Sequence, residues 1–326
     1  MEYTNLGKTG IKVSKICLGC MSFGNPEIRK WTLREEEGLP FFKKAIEEGI
    51  NFFDTANVYS RGASELITGR ALKTYAKREG IVLASKVFFP MREDPNGGGL
   101  SRKAIMTQID NSLKRLQTDY LDLYQIHRWD YTTPIEETLE ALYDVVKSGK
   151  VRYIGASSMH AYQFTKSLYI ADLRQLTRFV SMQNHYNLLY REEEREMLKL
   201  CAEEGIGVLP WSPLARGRLA RPWVKGTETK RSQTDEFGSI LYGKTEDADK
   251  AIVDTVTKIS KERATSHATL SLAWLLSKPV VTSPIVGVTK LNHLDDAIAA
   301  VNLKLTEDEV KKLEANYVPH PVAGFS

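Results

Sequence analysis

Asp54, Tyr59, Lys86 and His127 are residue types that could manage a proton together, and they follow one another within the first half of the sequence. A free phenol titrates near about 10, too high for efficient proton exchange at neutral pH. A nearby ammonium stabilises the phenolate and lowers that value. A carboxylate beside the lysine holds it in place and keeps it charged. A neighbouring imidazole can donate a hydrogen bond to a carbonyl oxygen and fix its approach. Such a set would protonate a carbonyl oxygen while something else attacks the carbon. Each residue alone has a plainer reading. An aspartate after a strand commonly caps a helix, and a lone lysine is commonly solvated. Their joint placement at the ends of neighbouring strands carries the argument.

The attacking species is suggested further along the chain. The six histidines, His127, His160, His185, His267, His293 and His320, show no metal-ligand spacing. Ser157, Ser158 and Gln183 could hydrogen-bond a carboxamide, and Trp211 could stack on a flat ring. Ser212, Leu214, Arg216, Gly217 and Arg218 could embrace a pyrophosphate. Gly287, Thr289, Lys290 and the start of the next helix could hold a phosphate. A carboxamide ring joined through pyrophosphate to a phosphorylated ribose describes a nicotinamide dinucleotide. Cys17 and Cys20 form a C-x-x-C, but Cys17 lies in an apolar run that reads as strand, so packing is preferred over redox chemistry.

The elements that must position these residues repeat one theme. A polar helical stretch ends at Gly, and a short β-branched run follows at 47–55, 78–86, 147–157 and 203–212. Glycine suits the left-handed position after a helix, and an Ile/Val-rich run suits a strand buried on both faces. Strands are expected at 15–19, 50–54, 81–86, 120–126, 151–155, 179–183, 206–210 and 280–286. Helices are expected near 35–48, 63–77, 101–116, 135–148, 160–169, 190–204, 265–277 and 291–300, with extra ones at 247–262 and 306–316. Pro40 argues that the first of them starts later. A hairpin turning at Gly7 to Gly10 precedes the first strand. Eight such units favour a single α/β domain, a (β/α)8 TIM barrel with an N-terminal β-hairpin and two extra helices. A doubly wound fold fits less well, because no G-x-G-x-x-G and no linker break appear. The stretch 214–246 is the longest irregular one.

Composition agrees with one large core. The 326 residues are 42% hydrophobic and 26% charged, as in an ordinary globular protein. The net charge of +4 is spread without a run of five like charges, so neither nucleic acid nor a membrane surface is an expected partner. The N-terminus lacks a secretory pattern, no apolar run approaches the ~20 residues of a membrane span, and three cysteines make no disulfide framework. The expected compartment is the cytoplasm.

With these residues in view, the sequence resembles the aldo-keto reductase superfamily over nearly its whole length. FFDTANVYSRGASELITGRAL (52–72), LASKV (83–87), LDLYQIHRWD (121–130), GKVRYIGASS (149–158), SMQNHYN (181–187), PWSPLARGRL (210–219) and PIVGVTKLNHLDD (284–296) follow that superfamily's motifs in order. The flavour is that of its bacterial and fungal branch related to potassium-channel β-subunits. The resemblance implies that Asp54, Tyr59, Lys86 and His127 are a catalytic tetrad, with Tyr59 as general acid in reduction and base in oxidation. It implies an NADP(H) site with the nicotinamide amide at Ser157, Ser158 and Gln183 and the ring on Trp211. The pyrophosphate would run along Ser212, Leu214, Arg216 and Gly217, the 2′-phosphate would meet Thr289 and Lys290, and the adenine would lie near His293 and Asp296. The sequence departs from the usual pattern at Ser158, often Asn, at His293, often Arg or Gln, and at Ala297, often Asn. Trp129, Met21, Trp31 and Phe88 are candidates for the substrate pocket, and Arg128 could attract an anionic substrate.

Two other readings stand beside a carbonyl reductase acting on a small-molecule substrate. One is a cofactor-sensing binding subunit like the channel β-subunits; the other is a lyase using Lys86 as a Schiff-base nucleophile.

Overall fold

The structure is a computed structural model describing residues 1–223, 238, 241–242 and 245–324. A two-stranded antiparallel hairpin, β1 (Tyr3–Asn5) and β2 (Lys12–Ser14), comes first. Eight parallel strands follow: β3 (Cys17–Gly19), β4 (Phe52–Asp54), β5 (Val82–Val87), β6 (Leu121–Ile126), β7 (Val151–Ser157), β8 (Phe179–Gln183), β9 (Gly207–Val208) and β10 (Ile285–Gly287). They pair in chain order, and β10 returns to pair with β3 through Ile285 and Cys17. Between β9 and β10 the ring is joined by a Val208–Val281 bridge and by the Ile285 amide donating to the Pro210 carbonyl at 2.9 Å. The result is the expected (β/α)8 barrel.

Ten helices surround or extend this ring among the described residues: α1 (Glu35–Glu47), α2 (Ala63–Tyr75), α3 (Arg102–Leu116), α4 (Ile135–Lys147), α5 (Ala161–Leu173), α6 (Met197–Glu204), α7 (Glu246–Glu262), α8 (His267–Leu276), α9 (Leu291–Asn302) and α10 (Glu307–Glu314). None is long and apolar enough to cross a membrane. The strands are buried on both faces because two cores meet at them. Cys17, Phe52, Val82, Ala84, Leu123 and Ile285 fill the barrel interior, and Leu6 and Val13 of the hairpin plug its lower end. A larger core lies between the strands and the helices.

Four expectations change. Pro40 does not delay α1, which begins at Glu35; three glutamates occupy its first turn, and the Glu37 carboxylate accepts the Arg34 amide at 2.9 Å. Those charges, together with the burial of Phe41, Phe42 and Ala45 on its inner face, hold the helix through Pro40. Gly80 does not cap a helix: α2 ends at Tyr75 and Gly80 closes a short turn, Arg78–Gly80. The helix expected at 190–204 is confined to α6, capped by Gly205 at φ +67°, and the strand expected at 280–286 starts only at Ile285. Of 214–246, a kinked turn spans Ala215–Ala220 and α7 begins at Glu246, while residues 224–237, 239–240 and 243–244 lie outside the described residues.

Candidate active site

The register of the barrel sets the site. Asp54 stands opposite Ala84 at the end of β4, Lys86 opposite Gln125, and Ser157 opposite Gln183. These strand ends bring a polar layer together inside the barrel mouth. The Lys86 ammonium, fully buried, donates to the Asp54 carboxylate, to the Thr55 carbonyl at 2.8 Å and to the Tyr59 hydroxyl at 3.2 Å. The second carboxylate oxygen of Asp54 accepts from the amide groups of Gln125 at 2.9 Å and Gln183 at 3.0 Å. Burial alone would pull Lys86 down. The negative charge of Asp54, helped by the Tyr59 oxygen, wins and holds the ammonium above the ordinary lysine value.

Tyr59 reaches the lysine from a turn that L-residues adopt reluctantly. Ser60 and Arg61 have φ of +47° and +53°, and Gly62 has +92°. His127 stands on the other side, edge-on to the Tyr59 ring with centroids 5.7 Å apart. Burial first, then the cations Lys86, Arg128 and Arg29, drive its pKa well below the usual imidazole value. The ring is therefore neutral at physiological pH and can donate one hydrogen bond without carrying a charge. The four groups form one constellation in which Tyr59 could give up a proton, Lys86, held by Asp54, could support the conjugate base, and His127 could orient an acceptor.

A cleft of about 1710 Å³ opens over this constellation, beyond the usual range for a single small ligand and long enough for a dinucleotide beside a substrate. Asp54, Tyr59 and His127 line one end with Met21 and Trp31, and Ser157, Gln183, Trp211, Ser212, Leu214, Arg216 and Gly217 line the middle. Gly287, at the end of β10, and Thr289, Lys290, His293 and Asp296 just beyond it complete the lining. At His293, burial and then Lys290 lower the imidazole pKa, against the opposing Asp296.

The middle of the cleft suits a nicotinamide dinucleotide. Trp211 has one face stacked on His185 at 4.3 Å, which in turn stacks on Tyr190 at 4.2 Å, and its indole N–H donates to the Ser158 hydroxyl at 3.0 Å. The indole plane is thus fixed while one side borders the cleft. Ser158 itself has φ +45°, a left-handed conformation that asparagine tolerates better than most residues. Gln183 donates to both Asp54 and Gln125, which leaves its carbonyl oxygen to accept from a carboxamide. Ser212, Ala215, Arg216 and Gly217 all have positive φ, and such turns form concave nests of backbone N–H groups that bind anions. At Gly217, φ +95° is the reason for glycine; a side chain there would meet nothing within 4 Å.

Several expected residues sit elsewhere. Ser158 acts on the cleft through Trp211. Arg218 is outside the wall, 3.8 Å from the Glu246 carboxylate and over the Trp223 and Tyr242 rings. Phe88 and Trp129 pack against the core instead of lining the cleft. Phe89 lines it in place of Phe88, with its ring 4.9 Å from that of His127. Residues missed by sequence reasoning are Gln125, His185, Phe89, Arg29 and Asn292. Gln125 was findable: it lies two residues before His127 on one strand and so shares its inward face. Cys17 and Cys20 are free, buried thiols, the first raised well above its ordinary pKa and the second pushed up to about 12, mainly by burial.

A (β/α)8 barrel that holds a lysine-backed tyrosine at its C-terminal mouth defines an oxidoreductase of the carbonyl–alcohol class. Residues 15–317 match the Aldo/keto reductase family, and the chain belongs to that family. It is 45% identical to versiconal hemiacetal acetate reductase of Aspergillus parasiticus, covering 99% of this chain and 98% of that one. It is 46% identical to a putative aryl-alcohol dehydrogenase of Schizosaccharomyces pombe over 99% and 97% of the two chains. It is 42% identical to an aldo-keto reductase of Fusarium vanettenii over 100% and 94%. These comparisons do not show the expected kinship with potassium-channel β-subunits.

Proposed function

We propose that this enzyme reduces an aldehyde or ketone to an alcohol, reversibly, with NADP(H) as the cofactor. The observation that carries the reading is the buried Asp54–Lys86 pair with Lys86 3.2 Å from the Tyr59 hydroxyl, at the end of the large cleft. The bound cofactor supplies the hydride to the carbonyl carbon. Tyr59 gives its hydroxyl proton to the carbonyl oxygen, and the Lys86 ammonium stabilises the negative charge left behind. Asp54 keeps Lys86 charged and, through Gln125 and Gln183, is itself held in one orientation. His127, neutral, donates to the same carbonyl oxygen and sets its approach. A lysine kept protonated by a carboxylate is poorly suited to attack a carbonyl as an amine, which weighs against the Schiff-base reading.

Gln183, Ser157 and the Trp211 face would hold the nicotinamide, the 212–217 turn the pyrophosphate, and Lys290 with Thr289 a 2′-phosphate. Arg216, which lines the cleft as Arg218 does not, is the alternative anchor for that phosphate. The test is Tyr59→Phe. Turnover of an aromatic aldehyde with NADPH is expected to fall by about 10²–10⁴-fold, the range of general acid–base catalysis, with cofactor binding near that of the wild type. Unchanged turnover refutes the assignment.

A further inference from the structure

The chemical end of the cleft carries two guanidinium groups whose charge no carboxylate among the described residues matches. Arg128 follows His127 and is half-buried in the cleft wall. Its Nη1 donates to the His127 carbonyl at 2.6 Å, and its Cζ lies 5.6 Å from the centroid of Phe89. Burial pulls its pKa down to about 10, so it remains a cation at neutral pH. Arg29 comes from the other side of the mouth, its Cζ 6.0 Å from the centroid of the Tyr59 ring. Both charges are felt at His127.

The wider charge balance points the same way. Among the described residues, seven lysines and arginines line the cleft against three carboxylates. Asp54 is committed to Lys86, Glu37 accepts the Arg34 amide, and Asp296 lies beside His293. A partly desolvated guanidinium without a counter-charge is costly, and a bound anion offsets that cost. Lys290 and Arg216 stand along the stretch suited to cofactor phosphates. Arg29 and Arg128 instead flank Tyr59 and His127, where the carbonyl must sit.

We propose that the substrate of this enzyme is a carbonyl acid: an aldehyde or ketone whose carboxylate is held by Arg128 and Arg29 at the mouth of the site. The inference rests on the reductase reading above and narrows its substrate class.

The experiment compares kcat/KM for 4-formylbenzoate and for its methyl ester, which share the ring and the reacting carbonyl and differ in charge. The wild type is expected to prefer the acid by roughly 10-fold or more, the scale of a hydrogen bond to a charged group. Arg128→Met and Arg29→Met should each pull that ratio toward one, with the loss in KM for the acid. Raising salt to about 0.5 M should erode the wild-type preference without any mutation, because screening shortens to a few ångströms. A wild-type ratio of one or below overturns the proposal, as does a ratio that neither variant nor salt moves. Variants that weaken NADPH binding, followed by its own fluorescence, while leaving the ratio intact would assign the guanidiniums to cofactor phosphates and overturn it too. No turnover of either aldehyde by the wild type sinks the reductase reading and this inference with it.

Discussion

Replacing Asp54 by asparagine tests whether the buried pair is the centre of the site. Asp54 is 2% exposed and Lys86 0%, so solvent cannot take over from the lost charge. The geometry makes the exchange worse than a simple neutralisation. One Asp54 oxygen faces the Lys86 ammonium, and the other accepts from Gln125 and Gln183. An asparagine must turn its amide N–H groups toward one of these sets of donors. Breaking a buried pair in this way costs about 3–5 kcal/mol. With an unfolding entropy of about 2.1 cal/mol/K per residue over 326 residues, that is a fall in Tm of roughly 4–7 °C. Burial, opposed then mainly by the Tyr59 oxygen, should also push Lys86 toward the neutral amine, so that Tyr59 loses much of the charge supporting its conjugate base. Reduction of an aromatic aldehyde by NADPH should drop by about 10²-fold, the lower end of acid–base contributions. Calorimetry and steady-state kinetics on the same preparation give both numbers. A Tm within about 1 °C of wild type, with turnover within about threefold, would refute the view that this pair organises the site.

Trp211→Ala should weaken NADPH binding by about 10-fold, or ~1.4 kcal/mol, because it removes the stacking face that His185 backs; titration of NADPH fluorescence reads it. Lys290→Ala should reduce the ratio of NADPH to NADH affinity by about 10-fold, measured the same way; an unchanged ratio moves the 2′-phosphate to Arg216. His320 is buried beside Asp249. Burial opposes its protonation, but hydrogen bonds to Asp249 and the Val318 carbonyl raise its pKa above the ordinary value. A raised folded pKa adds stability that is complete below the unfolded value, about 6.5, and is lost as pH rises through the folded one. The stability gap between wild type and His320→Gln, from urea melts, should therefore be largest at mildly acid pH and shrink as the pH rises.

Why some of this was legible in the sequence, and some not, follows from what each residue answers to. The strands were legible because a strand buried on both faces must be apolar throughout, as Phe52 and Phe53 or Leu83 and Ala84 are. The grouping of Asp54, Tyr59, Lys86 and His127 was legible because strand ends are where a barrel places chemistry, and Asp54, Lys86 and His127 stand at three successive ends. Gln125 lies inside the expected strand, but its side-chain role, bracing Asp54, depends on partners that the strand pattern does not name. Phe89 lines the cleft where Phe88 is expected. Alternation ceases once β5 ends at Val87, and the next backbone torsions decide which ring turns to His127. Arg128 and Trp129 repeat the ambiguity at the end of β6, and there the charged residue faces the cleft while the indole packs away from it. Barrel position therefore makes the reaction class legible in the sequence, whereas the proposed preference for an anionic carbonyl is argued from side chains just past the strands, with Arg128 5.6 Å from the Phe89 ring and Arg29 6.0 Å from the Tyr59 ring.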